Sequence, residues 1–166
     1  MTTPLPPAVA ELFAPRSQSL GPGTPNEPMR AKLEAFRLGQ SDMARAVHSA
    51  LWLHHDFLHE SHEISQEIDT STGSFLHAIM HRREPDAFNS KYWWRRVGTH
   101  PVFAELATAA AELGYLKAGT AWDPNRFVED CEAARDRGGD REELLQRVQA
   151  KELELLLAWC VRSQHE

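Results

Sequence analysis

From position 41 the chain repeats apolar residues at alternating steps of four and three: Met43, Val47, Ala50, Phe57, Ile64 and Ile68, with His54 and Ser61 filling the gaps. That is the period of one helix face, and Leu51 and Leu58 widen the stripe on one side. Ser41 reads as the N-cap, with Asp42 placed favourably against the helix dipole in the first turn. One long helix over 41–69 is therefore predicted, packed in a bundle and carrying polar residues at core-facing positions. Thr70, Ser71 and Thr72 interrupt the pattern, and a second helix starts at Gly73 or Ser74. It ends before Pro85, because the residue preceding a proline is pushed out of helical geometry. Asp86 caps a third segment over 87–97. There Phe88, Tyr92, Trp93 and Trp94 occupy most of the circumference, a pattern that predicts burial.

Further along, Gly98 stops the aromatic segment and Thr99 caps an amphipathic helix built on Val102, Leu106, Ala109, Ala110 and Leu113, closed by Gly114. Asp123 followed by Pro124 opens another, through Phe127, Val128, Cys131 and Ala134. Asp140 and Glu143 resemble a capping box for the last helix, with Leu145, Val148, Leu155, Leu156, Trp159 and Cys160 as its buried stripe. A short helix is also predicted over 29–38, ended by Gly39. Before it, Pro4, Pro6, Pro7, Pro15, Pro22, Pro25 and Pro28 with Gly21 and Gly23 predict an extended or disordered arm over 1–28, with a short turn near 8–13. Leu12, Phe13 and Leu20 are its candidates for contact with the domain. No segment alternates with period two long enough for a strand. The fold class is therefore all-α: a compact bundle of about six or seven helices over 29–166, preceded by the proline-rich arm.

Composition alters this picture little: 42% hydrophobic and 25% charged residues are ordinary for one globular domain. No apolar run reaches the roughly 18 residues of a membrane span and no secretory leader pattern is present, so no membrane association and a cytoplasmic location are expected. Cys131 and Cys160 lack paired spacing and read as core residues. Charge is more telling. Residues 40–72 carry Arg45 against six acidic residues, while 73–100 carry Arg82, Arg83, Lys91, Arg95 and Arg96 against Glu84 and Asp86. With a net charge of −6 overall, general nucleic-acid binding is not expected.

Seven of the nine histidines fall within 48–97. His55, His59 and His62 follow i, i+4, i+7 on the long helix, and His77, His81 and Glu84 repeat that spacing on the next, opposite Phe75, Leu76 and Ile79. If the two ladders face each other, imidazoles and a carboxylate converge. The candidate metal ligands are His62, His77 and His81, with Glu84 or His55 as a fourth, for a divalent ion such as zinc, iron or nickel. A solvated polar helix face gives the same spacing without a metal. His54, inside the apolar stripe, reads as a hydrogen-bonded core residue. The run from Lys91 to Arg96, KYWWRR, combines aromatic and cationic groups, and its arginines together with Arg82 and Arg83 suggest a pocket for a small anion. His62, Arg82, Arg83, Lys91, Tyr92, Arg95 and Arg96 are the candidate ligand-binding residues.

The segment HAIMHRREPDAFNSKYWWRRVGTHPVF, residues 77–103, resembles an uncharacterised family of bacterial and fungal all-helical proteins. That family is marked by an HRREPD stretch followed by NSKYW, RRVG and HP, with a preceding helix of the type matched by residues 56–66. The resemblance implies that His62, His77, His81, Arg82, Arg83, Glu84, Asp86, Asn89, Lys91, Tyr92, Trp93, Arg95 and Arg96 belong to the family pattern, with His59 a departure from an acidic position. It carries no activity with it.

No nucleophile elbow, phosphate-binding loop or dinucleotide-binding glycine pattern occurs, which removes the most readily recognised enzyme classes. The functional expectation is a small helical protein with a His- and Arg-lined pocket for a small anionic molecule, with or without a divalent metal, whether or not it catalyses a reaction. The alternative is a non-catalytic interaction module meeting a protein partner through the N-terminal arm.

Overall fold

The computed structural model describes residues 4–165, and among them it is all-helical, with nine α-helices and no strand. In chain order these are α1 (Pro7–Leu12), α2 (Arg30–Ala35), α3 (Asp42–His54), α4 (Leu58–Ser65), α5 (Ser71–Arg83), α6 (Ala87–Val97), α7 (Val102–Glu112), α8 (Pro124–Ala134) and α9 (Gly139–Arg162). Short 3-10 turns lie at Glu27–Met29 and Ser163–His165. Side-chain caps start four of the helices. Ser41 accepts the Ala44 N–H, Thr70 the Gly73 N–H, Asp86 the Asn89 N–H, and Asp123 those of Asn125 and Arg126.

Nine helices replace the expected six or seven for two reasons: the arm folds a short helix of its own, and the long helix over 41–69 is broken. The break lies at 55–57, between α3 and α4, and Asp56 sits there with φ of 65°. A continuing helix would give the carbonyls of Leu53 and His54 to amides one turn on. Here Arg83 donates from Nη1 to the Leu53 carbonyl at 3.0 Å, and Arg16 from Nη1 to the His54 carbonyl at 2.7 Å. The same two arginines hold the Asp56 carboxylate, one on each oxygen. Two guanidiniums from distant segments thus add to the bonds that these carbonyls receive from the Asp56 N–H and from Gln18 Nε2 at the end of α3.

At the centre, α5 is buried continuously from Thr72 to Met80, enclosed by α3, α4 and α6. Ala46, Val47, Ala50, Leu51 and Leu53 of α3 meet Phe75 and Leu76 of α5 and Leu145, Val148 and Leu156 of α9 in one hydrophobic core. The approach of α5 to the preceding turn is close enough that a Cβ on Gly73 would overlap the Ile68 carbonyl. On α9 the predicted stripe is shifted: Leu155 and Trp159 are only partly buried, while Gln149 and Glu152 lie in the core. Their partner is Arg82. Its Nη1 and Nη2 donate to the two Glu152 carboxylate oxygens at 3.0 and 2.6 Å, Nη2 also reaches Gln149 Oε1 at 3.3 Å, and the guanidinium lies 4.7 Å from the Phe127 ring centroid.

The predicted burial of the aromatic helix holds for one face only. α6 packs on α5 and α8 through Ser90, Trp94 and Val97, whereas Phe88 and Tyr92 are exposed. The arm is neither free nor wholly extended: Val9, Leu12 and Leu20 are buried in the core, and residues 1–3 of the expected arm lie outside the described residues. His54 Nε2 donates to the Ala14 carbonyl at 2.8 Å and His55 Nε2 to the Leu12 carbonyl at 2.6 Å, which fastens the arm to the end of α3. Among the described residues no helix is long and apolar enough to cross a membrane.

Candidate metal centre

Because α3 and α4 are separate, the histidines expected on one ladder are divided. His55 stays behind as the C-terminal cap of α3, with Nδ1 accepting from Asn26 at 3.0 Å and Nε2 committed to the arm. It is therefore not a ligand candidate. His59, in the first turn of α4, is exposed and paired with Glu63 at 3.2 Å. His62, one turn further on, faces α5.

On α5, His77 and His81 are four residues apart and stack at 4.8 Å between ring centroids with a 20° interplanar angle. His62 meets both edge-on, 4.6 Å from His77 and 5.6 Å from His81. One ligand nitrogen from each of the three lies within 4.8 Å of the others. A tetrahedral zinc–imidazole site has metal–nitrogen bonds of ~2.0–2.1 Å, hence nitrogen pairs ~3.4 Å apart. Closing from 4.8 Å to that spacing takes ~1.4 Å at most, within the reach of side-chain torsions. His81 Nδ1 lies 3.1 Å from Glu84 Oε2, without the alignment of a hydrogen bond. His81, Glu84 and Asp86 form a second set of converging donors. Both Asp86 oxygens already accept from Asn89, at 3.0 and 2.8 Å, so Asp86 serves first as the cap of α6.

His77 is the most constrained member. It is buried, its ring stacks on Trp93 at 3.8 Å and 16°, and its Nδ1 has no hydrogen-bond partner. A buried polar atom left unpaired costs about 1–3 kcal/mol, so its position calls for a proton partner or a ligand. Burial, then the neighbouring His62 and His81, push the His77 pKa down to about 3. Burial and His81 lower that of His62 as well. Both rings are thus neutral near pH 7, the form that binds metals. Beside them opens a hollow of about 360 Å³ lined by Leu58, His59, His62, Met80, His81 and Glu84. Three imidazoles, two of them lining such a hollow, can hold an ion and leave a coordination position for water or a small ligand.

The arginines expected beside His62 are elsewhere. Arg82 and Arg83 are buried and consumed by Glu152 and Asp56. Lys91 pairs with Glu129, Arg95 and Tyr92 lie on the exposed face of α6, and Arg96 contacts Asp69. None of these lines the hollow. These candidate anion-binding residues are not brought together around this hollow, because α5 sends its last two arginines to α9 and to the α3–α4 break. Trp93, Leu58 and Met80 were not singled out as site residues, and only packing reveals them. Helical spacing does place Trp93 on a different side of α6 from Phe88 and Tyr92, but not against a particular imidazole.

No family model, curated protein or solved structure matches this chain.

Proposed function

We propose that the chain is a metal-binding protein holding a divalent transition ion on His62, His77 and His81, with Glu84 next to His81 as a fourth ligand or a carboxylate orienting its ring. The observation that carries this reading is the convergence of one ligand nitrogen from each of His62, His77 and His81 within 4.8 Å of one another. An all-nitrogen set suits zinc, and equally iron or nickel; the lack of a thiolate in the set argues against a closed structural zinc site. The hollow beside His62 and His81 would admit a small molecule to the open position. An anion would be held there by the metal's own charge, since the arginines are engaged elsewhere. Activation of a bound water for attack on such a molecule is the chemistry this arrangement supplies most directly. An interaction module acting through the arm is less well supported, because His54, His55 and Arg16 clamp the arm to α3.

The test is elemental analysis of protein purified without an affinity tag, together with thermal unfolding in zinc and in chelator. Near-stoichiometric metal is expected, lost in His81→Ala and retained in His59→Ala. At ion concentrations about a hundredfold above Kd, binding to the native state adds about 2.7 kcal/mol. For a chain of this size that is a rise of roughly 5–10 °C in Tm. A trace of metal unchanged by His81→Ala, with identical Tm in zinc and chelator, would refute the reading.

A further inference from the structure

Among the described residues the exposed large hydrophobics are Phe88 and Tyr92, 80% and 42% exposed, and both lie on α6. At about 100° per residue, Phe88, Tyr92 and Arg95 fall within about 60° of one another on that helix. Aromatic side chains and arginine on one face are the composition of an interface hot spot rather than of a solvated surface. Arg95 is exposed and lies 5.9 Å over the Tyr92 ring, whereas its neighbour Arg96 contacts Asp69. The opposite end of the same strip presents the free ring of Phe88. A cation at one end and an aromatic face at the other are complementary, and a two-fold axis places each against the other.

We infer that this face of α6 is an interface between two copies of the chain, packed antiparallel so that Arg95 of each lies over Phe88 of its partner and the two Tyr92 rings meet near the axis. The occupant is a second copy because the strip complements itself. A polyanion would pair only with the arginines and leave Phe88 in water. A two-fold interface also closes, so association stops at the dimer. Neither Phe88 nor Arg95 lines the hollow beside His62, and the inference stands independently of metal binding.

The test is sedimentation equilibrium of the full chain from low micromolar to near-millimolar concentration. A monomer–dimer equilibrium is expected. Phe88→Lys sets a cation against Arg95, Arg95→Glu sets an anion against the ring, and each alone should weaken dimerisation at least about tenfold. Mixed together, the two variants restore both contacts. The lysine introduced in one chain then faces the glutamate introduced in the other, while the first chain's unaltered Arg95 faces the second chain's unaltered Phe88, and a heterodimer of near wild-type affinity should form. Misfolded variants cannot rescue each other in this way. A wild-type chain monomeric throughout, a dimer insensitive to both substitutions, or a monomer that instead binds polyglutamate or an oligonucleotide through this face would overturn the inference.

Discussion

The Arg82–Glu152 pair decides whether the arginines of the HRRE stretch are a ligand site or part of the fold, and its energetics can be worked from the contacts. Both side chains are wholly buried, joined by two hydrogen bonds at 3.0 and 2.6 Å. Breaking a buried pair by removing one partner costs about 3–5 kcal/mol, because the other is left charged in a poorly polarisable surrounding. Glu152→Leu leaves the guanidinium with Gln149 and the Phe127 ring alone. Those contacts compensate in part, so the lower end of the range, about 3 kcal/mol, is expected. Arg82→Met leaves a carboxylate that can take up a proton, which a guanidinium cannot release, so its cost should be smaller and should shrink as pH falls. Replacing both together, Arg82→Met with Glu152→Leu, should recover most of the loss, since hydrophobic replacement of a buried pair is often neutral. The assay is urea unfolding. With a slope of about 2 kcal/mol/M for a chain of this size, the midpoint for Glu152→Leu should fall by about 1.5 M and that of the double variant by much less. A loss under about 1 kcal/mol for Glu152→Leu would refute the reasoning. It would mean that the guanidinium reaches water or another anion, and the anion-binding reading of Arg82 would return.

Two further outcomes are expected. His54 and His100 are buried and neutral, with burial the largest cause of a pKa lowered to about 4 in each. In that window the unfolded chain takes up protons that the native state refuses. Stability should therefore be unaffected by these groups above about pH 7, and should fall as pH drops from about 6.5 to about 4, by roughly 3 kcal/mol for each. Urea midpoints across that range check it, and a flat profile, or His100→Gln behaving as wild type, contradicts the assignment. Gly73→Ala should destabilise by about 2 kcal/mol or more despite alanine's better helix propensity, because the added Cβ overlaps the Ile68 carbonyl and either the backbone or α5 must shift. Unchanged or raised stability would show that the turn before α5 relaxes freely.

Most helices were legible in the chain because their signals are local. Ser41, Asp86 and Asp123 cap the helices they were expected to cap, and Pro124 opens α8. The i, i+4 spacing of His77 and His81 placed both on one face of α5, but whether that face meets His62 depended on how the two helices pack, which only the structure decides. The break after α3 was not legible, since its apolar period runs on through Phe57, Ile64 and Ile68 as if the helix continued. At the break Arg83, 30 residues after Leu53, and Arg16, 38 residues before His54, donate to the carbonyls of those two residues and hold Asp56 between them. Local periodicity cannot register such distant donors. That break removed His55 from the ladder, and the same long-range pairing took Arg82 and Arg83 out of any ligand pocket. Which residue types cluster, and on which helix faces, was thus determined by the sequence alone through period and capping. Which of them remain free to hold a ligand was decided only by the tertiary structure, because a buried charge must find an opposite charge wherever the fold brings one within reach.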